Sequence, residues 1–543
     1  VVVTDENGYV NTASSWNRHT NYTNRGEKAT DGVWFGMDEK GNKAPIDDSL
    51  GALPYDTYTI EELRCAANEG YELVVVQATV SRNNVVIDFG TIDDTPMPSI
   101  FTDAVDAETD SAMTMADSDA VIIDKVSFNY FKVGEKYRLE GTLMNKATGM
   151  PVKDASGNDI TSTKVFTCKT ATGSTDVEFE FDATKLAGQD VVVFERAYRA
   201  SDDVLIAIHE DITDEDQTIH FPEIGTTAKD TETSDHLAFA DDSVTITDTV
   251  KYDNLIAGKT YTVTGMLMNR ETGKAVKDSE GNLVVASQKF TAAKKSGSVD
   301  LTFEFSGVNL KGTTVVAFET VTYRNIPVAV HADINDEDQS VHIPEIHTSA
   351  TADDTKDHVT MADGSVKITD KVSFTNLIPG KTYTLSGTLM NKATGQAVKD
   401  AKGNDITAST TFTPAAASGT TDVVFSFNGT FLAGTTTVVY EQCLLNGVKI
   451  ADHADMSDEG QTVDLPLIMT TAIDKDTKDH MSNADSEITI YDNVMYSNLN
   501  PGKVYTMTGT LMNRRTGMPV TDDKGRIVTA SRIFKADRRN GSV

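Results

Sequence analysis

Apolar and polar residues alternate along several stretches of this chain. The pattern is clearest in SVTITDTVKY (243–252), KTYTVTGMLMN (259–269) and DVEFEFD (176–182). A period of two places successive side chains on opposite faces of a pleated strand, so each segment predicts a half-buried β-strand. The short apolar runs VVVF (191–194) and VVAF (315–318) predict further strands. No stretch carries a long helical stripe, and the chain is therefore predicted to be all-β.

Turn residues separate the predicted strands at regular intervals. The motif LMNxxTG occurs four times, with its glycine at Gly149, Gly273, Gly395 and Gly517. Asparagine and glycine tolerate left-handed backbone angles, which tight turns between strands require. Many short strands with regular turns favour a β-sandwich or a barrel.

The motif I-x-T-x-A divides the chain into repeats. Its threonines are separated by 124, 122 and 122 positions (226 − 102, 348 − 226 and 470 − 348). A unit of that length buries its own core, so we expect independent domains in tandem, arranged as an elongated rod. The predicted boundaries are a distinct first segment at 1–98, three repeats at 99–222, 223–344 and 345–466, and a shorter fourth at 467–543.

The charge of the chain excludes several classes of function. There are 48 Lys and Arg residues against 82 Asp and Glu, a net charge of −34. That charge repels nucleic acid and anionic membranes. Cys65, Cys168 and Cys443 lie in different predicted domains, which leaves no disulfide within a domain. No apolar stretch reaches membrane-spanning length, and this composition does not oppose a place outside a reducing cell.

A set of polar residues recurs at fixed spacing near the end of each repeat. An apolar run ends in a glutamate, and a histidine, an aspartate and a glutamine then follow at constant offsets. The three sets are Glu195, His209, Asp214 and Gln217; Glu319, His331, Asp336 and Gln339; and Glu441, His453, Asp458 and Gln461.

These residue types can join a threonine to a glutamine. A threonine hydroxyl becomes a nucleophile when a base takes its proton, and neutral histidine is suited to that near pH 7. Glutamine offers a carbonyl whose leaving group is ammonia. A carboxyl kept protonated by a second, neighbouring carboxyl would polarise that carbonyl. The product is an ester between the first and last strands of one domain.

The repeats resemble the intramolecular ester-bond domains of Gram-positive surface adhesins, the VaFE repeats, whose name matches VVAFE at 315–319 and VVVFE at 191–195. The resemblance implies tandem immunoglobulin-like or prealbumin-like sandwiches without a cofactor or metal. It also implies a secreted protein of the cell surface or cell wall, with its wall attachment expected outside this segment. It implies the cross-links Thr102–Gln217, Thr226–Gln339 and Thr348–Gln461, with the three sets of Glu, His and Asp as catalytic helpers. Thr470 is a candidate cross-link residue without an identified partner. A second hydroxyl follows the threonine at Thr227, Ser349 and Thr471, whereas Asp103 at that place favours the first threonine.

Residues 1–98 resemble part of a B-type domain of collagen adhesins and pilins. The segment TYTIEE (57–62) matches the glutamate motif of that family. The resemblance implies that Glu62 assists a lysine–asparagine isopeptide bond. Asp93 and Asp94 stand where the asparagine is expected, so the sequence does not establish that this isopeptide bond forms.

Three functions compete for this chain. The favoured one is a structural stalk of an adhesin or pilus-like fibre, holding a tip that binds a ligand on a host or neighbouring cell. The second is a ligand-binding adhesin region whose binding surface lies in residues 1–98. The third is a turnover esterase or transamidase, which is disfavoured because a nucleophile and a substrate on one chain react only once.

The segment DINDED (333–338) resembles a calcium loop loosely, but its glycine and distal glutamate are missing.

Overall fold

The computed structural model describes residues 4–9, 56–81, 87–278 and 280–543. In that part of the chain, the regular elements are β-strands and four short 3₁₀ turns. Within the first segment, β1 (Asp56–Glu61) pairs antiparallel with β2 (Val75–Val80). The predicted all-β architecture of tandem domains is confirmed.

The first repeat consists of a three-stranded and a six-stranded sheet. The first sheet has the order β3-β4-β8, and the second is built on the path β10-β9-β5-β6, with β7 on β5 and β11 on β9. The strands are β3 (Ser99–Asp106), β4 (Ala120–Asn129), β5 (Lys136–Asn145), β6 (Met150–Pro151), β7 (Thr161–Thr167), β8 (Gly173–Phe181), β9 (Asp190–Arg199), β10 (Val204–His209) and β11 (Thr218–His220).

The second repeat has the same two sheets, β12-β13-β17 and β15-β14-β18-β19, with β16 on β14 and β20 on β18. The strands are β12 (Glu223–Asp230), β13 (Val244–Asp253), β14 (Thr260–Asn269), β15 (Lys274–Ala275), β16 (Val285–Thr291), β17 (Gly297–Phe305), β18 (Thr313–Tyr323), β19 (Ile326–His331) and β20 (Ser340–Ile343).

The third repeat again follows this plan, with sheets β21-β22-β26 and β24-β23-β27-β28, and with β25 on β23 and β29 on β27. The strands are β21 (Glu345–Ala352), β22 (Val366–Thr375), β23 (Tyr383–Asn391), β24 (Gln396–Ala397), β25 (Thr407–Phe412), β26 (Gly419–Phe427), β27 (Thr435–Leu445), β28 (Val448–His453) and β29 (Thr462–Leu465).

The fourth repeat forms a sheet β30-β31-β34 and a pair β32-β33. The strands are β30 (Leu467–Asp474), β31 (Ile490–Ser497), β32 (Val504–Thr510), β33 (Thr529–Lys535) and β34 (Gly541–Ser542). Within the described residues, no helix is long and apolar enough to cross a membrane.

The alternation in the sequence explains how each sandwich closes. Along β13, Val244, Ile246, Asp248 and Val250 are buried, whereas the residues between them are partly exposed. The apolar members of that series join residues of β14 and β18 in one core cluster. Because β13 and β14 belong to different sheets, the two sheets pack face to face and share this core.

Candidate functional site

The predicted threonine and glutamine of the second repeat meet inside the sandwich. Thr226 lies on β12, and Gln339 immediately precedes β20, 113 positions later. The Nε2 atom of Gln339 lies 2.6 Å from the Oγ1 atom of Thr226. Thr226 is 7% exposed and Gln339 is 0% exposed. Since β12 and β20 are in different sheets, a bond here would join the first strand of the domain to the last.

The first and third repeats bring the equivalent pairs together. Gln217 Nε2 contacts Thr102 Oγ1, and Gln461 Nε2 lies 2.5 Å from Thr348 Oγ1. All four side chains are buried. In the fourth repeat, Thr470 lies on β30 and is exposed.

The first of the two neighbouring hydroxyls is the one inside the protein. Thr226 belongs to the buried series of β12, together with Ile224 and Ala228, whereas Thr227 points to the partly exposed face. Ser349, in the third repeat, is exposed. An inward hydroxyl is the one that can reach a buried glutamine.

The histidine lies across the strand pair from the glutamate. Glu319 on β18 is directly opposite His331 at the end of β19, and the other repeats have the same register. The Nε2 atom of the histidine faces the predicted aspartate, at 3.0 Å between His331 and Asp336. The corresponding distances are 3.2 Å in the first repeat and 3.3 Å in the third.

In the first and third repeats, the other ring nitrogen faces the threonine. His209 Nδ1 lies 3.4 Å from Thr102 Oγ1, and His453 Nδ1 accepts the backbone N–H of Thr348 at 3.1 Å. A carboxylate at Nε2 favours the tautomer that carries its proton there, which leaves a lone pair on Nδ1. The imidazole is therefore oriented with its basic nitrogen toward the threonine.

A second carboxyl, not identified from the sequence, accompanies each glutamate. Asp248 on β13 is fully buried, as are Asp124 on β4 and Asp370 on β22. Each lies 22 positions after the threonine of its repeat (248 − 226, 124 − 102 and 370 − 348). That constant spacing, and the place of the aspartate within an apolar series, could have revealed it.

Burial raises the pKa of both carboxyls, and the charge of the aspartate raises the pKa of the glutamate further. Burial first, and then the charge of Asp248, raise the pKa of Glu319 to about 10, while burial raises the pKa of Asp248 to about 6. For the same reasons the glutamate pKa is about 10 in the first repeat and about 9 in the third, and the aspartate pKa is about 7 in both. Two carboxyls in one dry site cannot both ionise at modest cost, so near neutral pH the pair retains a proton on the glutamate.

The protonated glutamate lies against the glutamine. Glu319 Oε2 is 2.5 Å from Gln339 Nε2. The Oε1 atom of Gln339 is buried and has no hydrogen-bond partner among the described residues. Gln339 Nε2 is the donor in this contact, so the carboxamide is held by the glutamate while its own carbonyl oxygen is left unsatisfied.

A glycine on the neighbouring strand leaves room for the glutamate. Gly141, Gly265 and Gly387 pair directly with Glu195, Glu319 and Glu441. A Cβ at Gly141 or Gly387 would overlap the glutamate carboxyl, and a Cβ at Gly265 would lie 2.6 Å from the ring of Phe303. The glycine is needed here for space.

A cation and a hydroxyl brace the loop that carries the aspartate and glutamine. Arg270 donates to Ser340 Oγ at 2.6 Å, and Ser340 Oγ donates to the Asp336 carbonyl at 2.5 Å. The corresponding residues are Lys146 with Thr218 and Lys392 with Thr462. These positioning residues were not identified from the sequence either, although the cation follows the LMN motif in each repeat.

Glu62 has a different environment from the glutamates of the repeats. It accepts hydrogen bonds from Asn68 Nδ2 at 2.6 Å and from the Val74 N–H at 3.0 Å. The bond from Asn68 is the main cause of a lowered pKa of Glu62, so this carboxyl is ionised at neutral pH. Much of 1–98 lies outside the described residues, and the isopeptide helper role of Glu62 stays a prediction.

The described part of the chain contains no cluster of three or more His, Cys, Asp or Glu side chains arranged to hold a metal ion. Cys65, Cys168 and Cys443 are free thiols.

Four consecutive segments match the family described as "T-Q ester bond containing domain", namely residues 98–221, 222–343, 344–465 and 466–543. No curated protein matches the chain.

Several solved structures are similar to parts of this chain at low sequence identity. A bacterial adhesin from Mobiluncus mulieris with disulfide, isopeptide and ester cross-links is 17% identical, over 46% of this chain and 87% of that one, with a TM-score of 0.19. A 1.5-MDa bacterial ice-binding adhesin is 14% identical, over 65% and 95% of the two chains, with a TM-score of 0.19. A family 2 β-glucuronidase is 8% identical, over 43% and 26%, with a TM-score of 0.17. At TM-scores this low, none of these likenesses bears on function.

Proposed function

The chain belongs to the T-Q ester bond containing domain family over residues 98–543, and on that premise we propose that each repeat holding both a threonine and a glutamine forms one internal ester. The bonds are Thr102–Gln217, Thr226–Gln339 and Thr348–Gln461. The observation that carries this proposal is the buried contact of the Gln339 carboxamide with both the Thr226 hydroxyl and a protonated Glu319.

The proposed reaction is an acyl transfer with balanced products. His331 takes the proton of Thr226, and the hydroxyl oxygen attacks the carboxamide carbon of Gln339. Glu319 shares its proton with the carbonyl oxygen of the carboxamide, which makes the carbon more electrophilic, and Glu319 keeps that proton when the intermediate collapses. The C–N bond then breaks, and the proton on His331 leaves with the nitrogen as ammonia. The ester is Thr–O–CO–Gln, and no oxidant or cofactor enters the balance.

The remaining carboxylates keep these groups in place. Asp336 orients His331 from the far side of the ring, as Asp214 and Asp458 do in the other repeats. The negative charge of Asp248 lies beside Glu319 and disfavours a second negative charge there, so the proton stays on Glu319. Because nucleophile and acyl group belong to one chain and are consumed together, each site reacts once and the protein is not a turnover enzyme.

The cross-linked repeats suit a load-bearing stalk at the cell surface. The ester joins the first strand of a repeat to the residue before its last strand, and these are the points where tension enters and leaves the domain. Only nine positions separate Gln217 from Thr226, so most of the load passes from one bond to the next. We therefore propose a secreted adhesin or pilus-like stalk, attached to the cell wall by residues outside this segment and ending in a ligand-binding tip. A binding surface within residues 1–98 is the alternative.

Pulling the chain from both ends tests the mechanical role. In the native chain, the proposed ester would close the segment from Thr226 to Gln339, a separation of 113 positions, into a loop that cannot lengthen. In Thr226→Ala this segment is free to lengthen, so the variant should gain one unfolding step of about 380 Å, at ~3.4 Å per residue. Thr227→Ala is the matched control and should add no step. A step of that length for repeat 2 in the native chain would refute the stalk mechanism.

A further inference from the structure

Consecutive repeats are joined by very short connections. Only one or two residues separate the last strand of a repeat from the first strand of the next. Each connection contains a proline, at Pro222, Pro344 or Pro466. Proline has a fixed φ angle and lacks an N–H, so these connections have little rotational freedom.

One asparagine in each following repeat contacts the repeat before it. Asn254, Asn376 and Asn498 follow β13, β22 and β31 and have positive φ angles of 64°, 61° and 58°. Asparagine tolerates this left-handed conformation better than most residues. The position is therefore occupied by the same residue in the same conformation at all three junctions.

The asparagine amides donate to equivalent places. Asn254 Nδ2 lies 2.6 Å from the Gln189 carbonyl, Asn376 Nδ2 lies 2.6 Å from the Thr313 carbonyl, and Asn498 Nδ2 lies 2.5 Å from the Gly434 carbonyl. These carbonyls lie where the chain enters β9, β18 and β27, the strands that carry the catalytic glutamates. In the first repeat, which follows no other repeat, the equivalent residue is Tyr130, with φ 60° and 57% exposed.

An ion pair supports two of the junctions. Lys381 of repeat 3 pairs with Asp235 of repeat 2, and Lys503 of repeat 4 pairs with Asp357 of repeat 3 at 2.8 Å. At the first junction the equivalent of Asp235 is Ser111, and a different contact is present. Arg324 of repeat 2 donates to the carbonyls of Thr109 and Asp110 at 3.4 and 3.2 Å.

A second position in the following repeat matches the charge at the end of the preceding one. Lys295 of repeat 2 contacts Asp190, which is also paired with His220. Arg539 of repeat 4 contacts Asp464. Lys295, Ala417 and Arg539 are equivalent, because their carbonyls accept the same backbone bond from Leu255, Leu377 and Leu499.

Between repeats 2 and 3, this second position carries neither a cation nor an acid. In repeat 2, Thr314 occupies the position of Asp190 in repeat 1, and His342 occupies the position of Asp464 in repeat 3. Repeat 3 presents Ala417 and Asn376 to them. Burial alone raises the pKa of Asp190, but the hydrogen bonds from His220 and Lys295 outweigh it and lower that pKa. Asp190 is thus ionised, with His220 and Lys295 both beside it.

We infer that these contacts form a keyed joint, in which each repeat docks onto the end of the preceding repeat through its asparagine, and the charged residues select which repeat follows. The partner of the docking surface is another repeat of this chain. It must have asparagine after its second strand, and a cation where the preceding repeat ends in a buried acid. This joint is independent of the ester bonds, since none of its residues belongs to the cross-linking sites.

Pulsed electron paramagnetic resonance on the whole chain tests the joint between repeats 2 and 3. Spin labels at Lys274→Cys and Gln396→Cys, both exposed, report the distance between the two repeats when Cys65 is replaced by serine. A single narrow distance is expected. The double variant Asn376→Ala and Lys381→Ala should lose it and give a broad distribution. Asn404→Ala with Lys402→Ala, the same residue types in an exposed loop of repeat 3, should keep it.

Two further measurements separate the joint from misfolding and from the cross-links. Intact mass reports whether the junction variant still forms its esters, and hence whether its repeats are folded. Lys381→Glu alone should broaden the distribution, and adding Asp235→Lys should restore it. A broad distribution in the unaltered junction, or a narrow one in both Lys381→Glu and the double alanine variant, would overturn the keyed joint.

Discussion

A buried carboxyl pair lies at the proposed cross-linking site of each of the first three repeats. Glu319 and Asp248 are both excluded from water, and both have a raised pKa. Near neutral pH the glutamate is therefore an acid and the aspartate a negative charge, although either residue in water would be ionised. The same pairing in the first and third repeats indicates one mechanism at all three sites.

Removing the aspartate tests its part in the reaction. Asp248→Asn keeps the size of the side chain but removes the charge that holds the proton on Glu319. We expect the cross-link of repeat 2 to form more slowly by about 10²- to 10⁴-fold, the usual contribution of a general acid or base. Mass spectra taken during refolding measure the rate. Asp300→Asn, on the exposed face of β17, is the matched control and should react at the native rate; equal rates in the two variants would remove Asp248 from the mechanism.

The buried glutamate also makes stability depend on pH. Its folded pKa of about 10 lies above the ordinary value of 4.5, so its contribution is complete below about pH 4.5 and is lost as pH rises toward 10. In an uncross-linked Thr226→Ala chain, the free energy of unfolding of repeat 2 should fall with pH, by at most about 1.4 kcal/mol per pH unit for one group. Adding Glu319→Gln should flatten this dependence.

Hydrogen exchange of β14 in increasing denaturant measures the stability of repeat 2 alone. Comparing Thr226→Ala with the double variant between about pH 5 and pH 8 isolates the glutamate. Parallel curves for the two proteins would mean that Glu319 is ionised in the folded state.

At the scale of elements, strand register brings the reactive groups together. The glutamate, the histidine and the glycine occupy paired positions on three adjacent strands, and the threonine approaches from the other sheet. A shift of one residue would turn each of these side chains to the opposite face.

Filling the space opposite the glutamate should therefore disturb the site. Gly387→Ala places a methyl group where the Glu441 carboxyl and the Phe425 ring lie. Overpacking of this kind costs about 1–3 kcal/mol, and the displaced carboxyl should stop or slow the ester of repeat 3. We expect the variant to lose one ammonia fewer than the native chain, which its intact mass would show. Gly509→Ala, at the equivalent place on β32 where space is open, should change nothing; normal cross-linking of the Gly387 variant would mean that the glutamate tolerates displacement.

The sequence predicted the strands and the reactive pairs but missed the aspartate of the carboxyl pair. Alternation is a local property, so β13 and β14 could be located from it, and the spacing of threonine and glutamine repeats three times. Asp248 was overlooked because aspartate in a strand is ordinarily a residue of the exposed face. It nevertheless shares the phase of Ile246 and Val250, which is the face that enters the core. Register across sheets, and with it the pairing of Glu319 and Asp248, depends on tertiary packing that one sequence does not specify.

At the scale of the whole molecule, the proposed cross-links and the junctions between repeats would follow one another along the chain. Each ester would close a loop of more than 100 residues, for which loop entropy predicts a stabilisation of about 4–5 kcal/mol per domain. The residues between one cross-link and the next include a proline and lie beside the asparagine contact. With both features, we expect the chain to resist extension within its domains and between them.

Intact mass of the purified chain tests the central claim most directly. Every ester formed from a threonine and a glutamine expels one ammonia, about 17 Da, so the account predicts three losses relative to the sequence. Hydroxylamine added after full denaturation should then open all three bonds, because the ester is exposed once the dry site is lost. A mass equal to that of the unmodified sequence would contradict the account, as would three losses that resist hydroxylamine in the denatured chain.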